Sequence, residues 1–152
     1  MRAGTMVLMD EKREGKKHIT LIEDEPILSQ LILLELNKEG YSVDVYANGL
    51  EGLDALKKNT PDLLLLDIML PGLNGFQILE ELAAAKMIPA LPVVVISNSG
   101  QPVEVSRAKR LGVRDYIIKA DLGPRDVLEK VREILGLSQA DNAASAEGAT
   151  QR

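Results

Sequence analysis

Five short apolar segments alternating with helical ones predict an α/β protein built on a five-stranded parallel sheet, doubly wound, with strand order 2-1-3-4-5. Three observations carry this prediction. The run Leu63-Leu64-Leu65-Leu66, bounded by Pro61 and the turn Pro71-Gly72, has the uninterrupted apolar character of a strand buried on both faces. Strand and helix patterns alternate along the whole ordered part of the chain, and such alternation requires a parallel sheet covered on both sides. The apolar strands also end in reactive groups: acids after the first, Asp67 on the third, Ser97 on the fourth and Lys119 on the fifth. Their carboxyl ends are where open α/β sheets bind ligands.

In chain order, residues 1–17 are polar and unpatterned and read as a disordered extension. His18 to Ile22 is a strand that runs into Glu23-Asp24-Glu25, and Pro26 suits the first turn of a helix. From Ile27 to Leu36 apolar residues recur at spacings of three and four (Ile27, Leu31 and Leu34, with Leu28 and Ile32 beside them), which predicts a helix, and Gly40 marks its stop. Ser42 to Ala47 alternates in polarity, as a strand near the sheet edge does. Asn48, with Glu51 three residues on, caps a helix over 49–58.

After the central strand, Phe76, Leu79 and Leu82 share one helix face. Pro89 and Pro92 bracket a loop before the buried strand Val93 to Ile96, which ends at Ser97. A short helix from Pro102 to Leu111 closes at Gly112, and Asp115 to Lys119 is the fifth strand. The last helix carries Val127, Leu128, Val131, Ile134 and Leu135 on its apolar side and stops at Gly136. One domain over 18–136 is therefore expected, and the Ala/Ser/Gln/Asn-rich tail 137–152 reads as disordered.

Composition narrows the function. The 152 residues are 45% apolar, which suits one soluble domain with one core. A net charge of −5 argues against direct nucleic-acid binding. With no cysteine there are neither disulfides nor thiolate metal sites. No apolar stretch reaches membrane-span length and no signal-peptide core is present, so no membrane association and a cytoplasmic location are expected.

The predicted topology brings Glu23 and Asp24 beside Asp67, with Ser97 and Lys119 arriving from the next two strands. Like charges held ~4 Å apart at an effective dielectric near 20 repel by about 4 kcal/mol per pair. Such a cluster has to protonate, meet a lysine or bind a cation, and an oxygen-only donor set suits Mg2+. Asp67, kept ionised by a cation, can then attack phosphorus, and phosphoryl transfer needs little beyond positioning and charge neutralisation. Each group alone has a plainer reading: an acid at a strand end is more often a cap, Glu23-Asp24-Glu25 could merely favour the helix dipole, and Tyr116 could be a half-buried strand aromatic. Their coincidence at four strand ends favours a site.

With the acidic pair Glu23-Asp24, Asp67 followed by Met-Leu-Pro-Gly, then Ser97, Tyr116 and Lys119 in order, the chain resembles the receiver domain of two-component response regulators, the CheY-like family with its flavodoxin-like topology. The resemblance spans about His18 to Leu135. It implies that Asp67 is the phosphoacceptor and that Asp24, Asp67 and the Met69 carbonyl bind Mg2+ directly, with Glu23 acting through water. Ser97 and Lys119 would hold phosphoryl oxygens, and Tyr116, with Ser97, would act as a switch by turning inward. Two positions depart from the pattern. Ala120 stands where a proline usually follows the lysine, which predicts a trans Lys119–Ala120 peptide. Asn98 replaces the small residue common after the hydroxyl position.

The resulting expectation is a single-domain response regulator: a non-enzymatic phosphoacceptor fed by a histidine kinase or histidine phosphotransfer protein. Its downstream protein target would sit on the last two helices and strand 5. The alternative is a receiver-like docking module that works without phosphorylation, against which the complete set of reacting groups argues. A flavin carrier would need an amide-rich phosphate loop where Glu23-Asp24-Glu25 stands. An aspartate-nucleophile phosphatase commonly carries a second acid where Met69 stands.

Overall fold

The computed structural model describes residues 15–121 and 123–136, so the expected extension (all but residues 15–17) and the tail lie outside the described residues. Five strands, β1 (His18–Ile22), β2 (Ser42–Tyr46), β3 (Leu63–Asp67), β4 (Val93–Ser97) and β5 (Asp115–Ile118), form one parallel sheet of order β2-β1-β3-β4-β5. The helices are α1 (Pro26–Lys38), α2 (Gly49–Lys58), α3 (Gly75–Ala84), α4 (Pro102–Arg110) and α5 (Pro124–Leu135). No helix among the described residues is long and apolar enough to cross a membrane.

The central strand is buried along its whole length, and so is β4. Side chains of successive strand residues point to opposite faces, and the sheet therefore has two cores. On one face Leu64, Leu66, Val93 and Val95 pack with Leu53, Leu56, Phe76, Leu79 and Leu82 from α2 and α3. On the other, Leu63, Leu65, Val94 and Ile96 pack with Ile32 and Leu36 of α1 and with Val127, Leu128 and Val131 of α5. The two-sided burial that the leucine run implied is thus supplied by helices from both directions.

Local signals hold at most boundaries. Asn48 Oδ1 accepts from the backbone N–H of Leu50 (2.8 Å) and Glu51 (3.3 Å) at the start of α2. Asn74 and Gln77 form a reciprocal capping box on α3. The Lys119–Ala120 peptide is trans, as expected; the cis bond among the described residues is Ile88–Pro89.

The helix expected over 27–36 is present, with Ser29, Ile32 and Leu36 buried and Ile27, Leu31 and Leu34 exposed. The helix is apolar on nearly every side, so spacing alone cannot choose its inner face. The hidden face contains a serine whose hydroxyl is satisfied by donating to the Pro26 carbonyl (3.1 Å). One expectation is corrected: Lys119 is not part of β5 but opens a 3-10 turn over Lys119–Asp121.

The loop between β3 and α3 is clasped from two sides. The Gly49 N–H donates to the Pro71 carbonyl (3.0 Å), and a Cβ at position 49 would fall 1.7 Å from the Leu73 carbonyl oxygen. The Gly75 N–H likewise donates to the Ile68 carbonyl (2.8 Å), and a Cβ there would lie 2.5 Å from the Asp67 carbonyl oxygen. Both obstructions are backbone, so neither can swing aside. Gly49→Ala should therefore cost about 1–3 kcal/mol of stability by overpacking. A thermal unfolding midpoint equal to that of the parent would show that the loop yields freely.

Candidate functional site

The strand register explains why reactive groups meet at the carboxyl edge. Ile22 pairs with Leu66 across β1 and β3, which sets Glu23 level with Asp67. Asp67 pairs with Ile96, so Ser97 lies one step further along β4; Ser97 pairs with Ile118, which delivers Lys119 at the next position. Carboxylate oxygens of Glu23, Asp24 and Asp67 come within 4.8 Å of one another. Glu23 and Asp67 are buried, whereas Asp24 is exposed at the rim.

The Lys119 side chain, 8% exposed, reaches into this cluster. Its ammonium lies 2.9 Å from Glu23 Oε1, 3.2 Å from Asp67 Oδ2 and 3.7 Å from Glu25 Oε2. It donates hydrogen bonds to Glu23 Oε2 (3.1 Å) and Asp67 Oδ2 (3.2 Å). Backbone amides complete part of the shell: the Met69 N–H donates to Asp67 Oδ1 (3.2 Å) and the Glu25 N–H to Glu23 Oε2 (3.0 Å). Glu23 Oε1 is fully buried and accepts no hydrogen bond; the lysine is close to it without the required alignment.

Burial pushes the Glu23 carboxyl up to about 7, against the opposing pull of the Glu25 amide and Lys119. Burial also raises Asp67, with Lys119 working against it. Desolvation disfavours the Lys119 ammonium, but the Glu23 and Asp67 carboxylates outweigh it and hold the lysine above its ordinary value. One ammonium thus faces three carboxylates, two of them stripped of water. The donor set is all oxygen, a buried oxygen lacks a hydrogen bond, and negative charge is in excess: the residues present fit a hard divalent cation.

Ser97 is buried, and its Oγ accepts from the Ser99 N–H (3.1 Å). Tyr116 is half-buried against the core on the α2 and α3 side, and its hydroxyl donates to the Ser99 carbonyl (2.6 Å). Burial pushes the Tyr116 phenol up against the opposing pull of the Ser97 side chain, and the charges of Glu104 and Asp67 add to the rise. The side chain of Met69 is exposed.

Glu23, Asp24, Asp67 and Lys119 therefore form one cluster, with Met69 joined to it through its amide. Ser97 and Tyr116 are joined instead through Ser99. Sequence reasoning overlooked Ser99 and its partner Glu104, whose carboxylate accepts from the Ser99 hydroxyl. The available signal was Pro102: as the first residue of α4 it puts Glu104 in a first turn that faces back over the preceding loop. A surface cleft of about 490 Å3, lined by His18, Asp44, Tyr46, Glu51 and Lys58 among others, shares no residue with this cluster.

Comparison with known proteins agrees with the geometry. The profile of the response regulator receiver domain matches residues 19–147. The transcriptional regulatory protein CreB of Escherichia coli K12 is 33% identical over 120 residues, covering 79% of this chain and 51% of CreB. Protein PilH of Pseudomonas aeruginosa is 34% identical over 101 residues, covering 66% of this chain and 84% of PilH. The BeF3-activated N-terminal receiver domain of RstA from Klebsiella pneumoniae has a TM-score of 0.68 at 30% identity, covering 78% of this chain and 97% of that domain. The chain spans about half the length of CreB and of several other curated relatives. With strand order, register and acid cluster in agreement with these matches, the chain belongs to the response regulator receiver domain family, a class of CheY-like signalling domains rather than of enzymes.

Proposed function

We propose that the domain accepts a phosphoryl group on Asp67 from a phosphohistidine donor, in a Mg2+-dependent reaction, and passes the signal on by changed protein binding. The single observation that carries this reading is the buried Asp67 carboxylate, held between Lys119 and the acid pair at the carboxyl edge of the central strand. The unit responsible is taken as residues 18–136, with 1–17 and 137–152 as extensions to it.

Asp24 and Asp67, with the Met69 carbonyl, are the ligands assigned to Mg2+, and Glu23 the residue acting on it through water. When bound, Mg2+ supplies charge neutralisation for the phosphoryl oxygens. An Asp67 oxygen attacks phosphorus while the P–N bond to the donor imidazole breaks and its electron pair leaves with the ring. The Lys119 ammonium, already bonded to Asp67, swings its donors onto a phosphoryl oxygen, and the Ser97 hydroxyl takes another. Its oxygen already accepts from the Ser99 N–H, so the hydroxyl proton is the part of Ser97 that would turn to the phosphoryl group. The bound phosphoryl group is then read through Ser97 and Tyr116. That the similar RstA receiver domain is described as BeF3-activated supports the phosphoacceptor reading.

The donor is a histidine kinase or a histidine phosphotransfer protein. The downstream protein binds on α4, β5 and α5, beside Tyr116, and the setting is the cytoplasm.

Asp67→Asn should abolish labelling by acetyl phosphate while the metal-free protein keeps or gains thermal stability, because a desolvated charge with a raised pKa is removed. Label retained in this variant, or peptide mapping of the wild-type acyl phosphate to another residue, would overturn the site. Lys119→Ala should retain the nucleophile but slow labelling by at least about tenfold, the ~1.4 kcal/mol equivalent of one charge-assisted hydrogen bond.

The acid cluster also sets a pH dependence. Glu23 titrates near 7 in the folded protein and at 4.5 ordinarily, so between these values the folded state holds a proton that the unfolded state releases. Stability of the metal-free protein should therefore fall as pH rises through this window. Because protons compete with the cation, the increase in melting temperature caused by Mg2+ should be larger at pH 8 than at pH 5.5. Equal increments at both values in a calorimetric titration would dissociate Glu23 from metal binding.

A further inference from the structure

Ser99 is bonded from every direction. Its N–H holds Ser97 Oγ at 3.1 Å, its carbonyl accepts the Tyr116 hydroxyl at 2.6 Å, and its own hydroxyl donates to Glu104 on the first turn of α4. The Gln101 N–H approaches the same Ser99 oxygen at 3.4 Å. The residue at 99 therefore links the hydroxyl at the end of β4, the aromatic on β5 and the start of α4, and only its side-chain link reaches a charged group.

That link matters because α4 has little else to hold it. Ala108 is its one buried residue; Val103 is exposed, and Glu104, Ser106, Arg107, Lys109 and Arg110 are polar. Toward its end Arg107 stacks over the Phe76 ring at 4.3 Å and pairs with Glu80 at 2.8 Å, both at half-exposed positions. At its start Gln101 provides no side-chain cap. Besides the backbone bonds of Glu104 and Val105 to the Gln101 carbonyl, the side-chain tie between the first turn and the loop at 98–101 is the Glu104 carboxylate accepting from Ser99. The half-buried Tyr116 phenol has the Ser99 carbonyl as its acceptor, and only while the loop keeps this shape.

We propose that Glu104 is a positioning residue for the phosphorylation site: through Ser99 it fixes the Ser97 oxygen and holds Tyr116 inward before any phosphoryl group is present. The Tyr116 half of this stands on the hydrogen bonds alone; the role of Ser97 rests on the reading of Asp67 as phosphoacceptor. The consequence is a switch biased toward its inward arrangement, whose response to phosphorylation becomes larger when the Ser99–Glu104 bond is lost.

The test uses the full chain labelled with fluorotyrosine, the Tyr116 resonance being assigned by Tyr116→Phe. In the parent protein without Mg2+ or phosphate analogue, the Tyr116 resonance should be solvent-shielded and should move little when Mg2+ and beryllofluoride are added. In Glu104→Ala the shielded resonance should be lost or displaced to the solvent-exposed position, and Mg2+ with beryllofluoride should restore it. Glu104→Gln, which keeps an acceptor oxygen, should resemble the parent. Circular dichroism melts establish that each variant is folded. A folded Glu104→Ala whose Tyr116 resonance coincides with the parent's overturns the proposal, as does an exposed Tyr116 in the parent itself. Failure of beryllofluoride to restore the variant, where acetyl phosphate still labels Asp67, overturns the link to Ser97. Absence of Asp67 labelling in the parent, by contrast, tells against the phosphoacceptor reading and leaves the metal-free comparison valid.

Discussion

Everything at the carboxyl edge depends on one ammonium group. Lys119 lies between two carboxylates that have been taken out of water, Glu23 and Asp67, and it is itself almost fully covered. A buried pair of like charges without a cation would neutralise by protonation, and the upward shifts of both acids show that tendency at work. The lysine resists it without completing the compensation, since Asp24 and Glu25 add further negative charge nearby. The site is consequently left short of positive charge yet provided with oxygen donors, which is the condition under which a divalent ion binds with gain. Lys119 reaches this position because β5 ends and a 3-10 turn begins at that residue.

The backbone around the ammonium is set by close approaches rather than by side chains. The loop after Asp67 passes under the start of α2 at Gly49 and over the start of α3 at Gly75, with room for no Cβ at either point. This brings the Met69 amide onto Asp67 Oδ1 and keeps the opposite carboxylate oxygen toward Lys119. Orientation of the acid thus derives from three successive elements of the fold: the strand that ends in it, the loop that leaves it, and the helix starts that confine the loop.

Much of this was legible in the sequence because each signal had one dominant physical cause. A four-leucine run between prolines has little alternative to a doubly covered strand, and Asn48 and Asn74 cap helices by the chemistry of their side-chain oxygens. The inner face of α1 was not legible. With isoleucines and leucines nearly all round the helix, burial was decided by packing against α5 and the sheet, and it selected a face that includes Ser29 over one containing Ile27, Leu31 and Leu34. Ser99 and Glu104 were missed for a different reason. Their contact joins a loop to a helix at a spacing that belongs to no local motif, and it has meaning only once Tyr116 is seen to use the Ser99 carbonyl.

The burial of β3 has a further consequence. Asp67 ends a strand paired on both sides and covered on both faces, so its main chain is among the least deformable parts of the molecule. Under the proposed reading, chemistry at that carboxylate would be performed against a fixed anvil, and any displacement would have to be taken up by what surrounds it: a lysine side chain, a serine loop, a thinly anchored helix. The division of labour is mechanical. Rigidity at that atom and compliance one strand away would let a single added group be converted into movement at the surface without disturbing the framework that holds it.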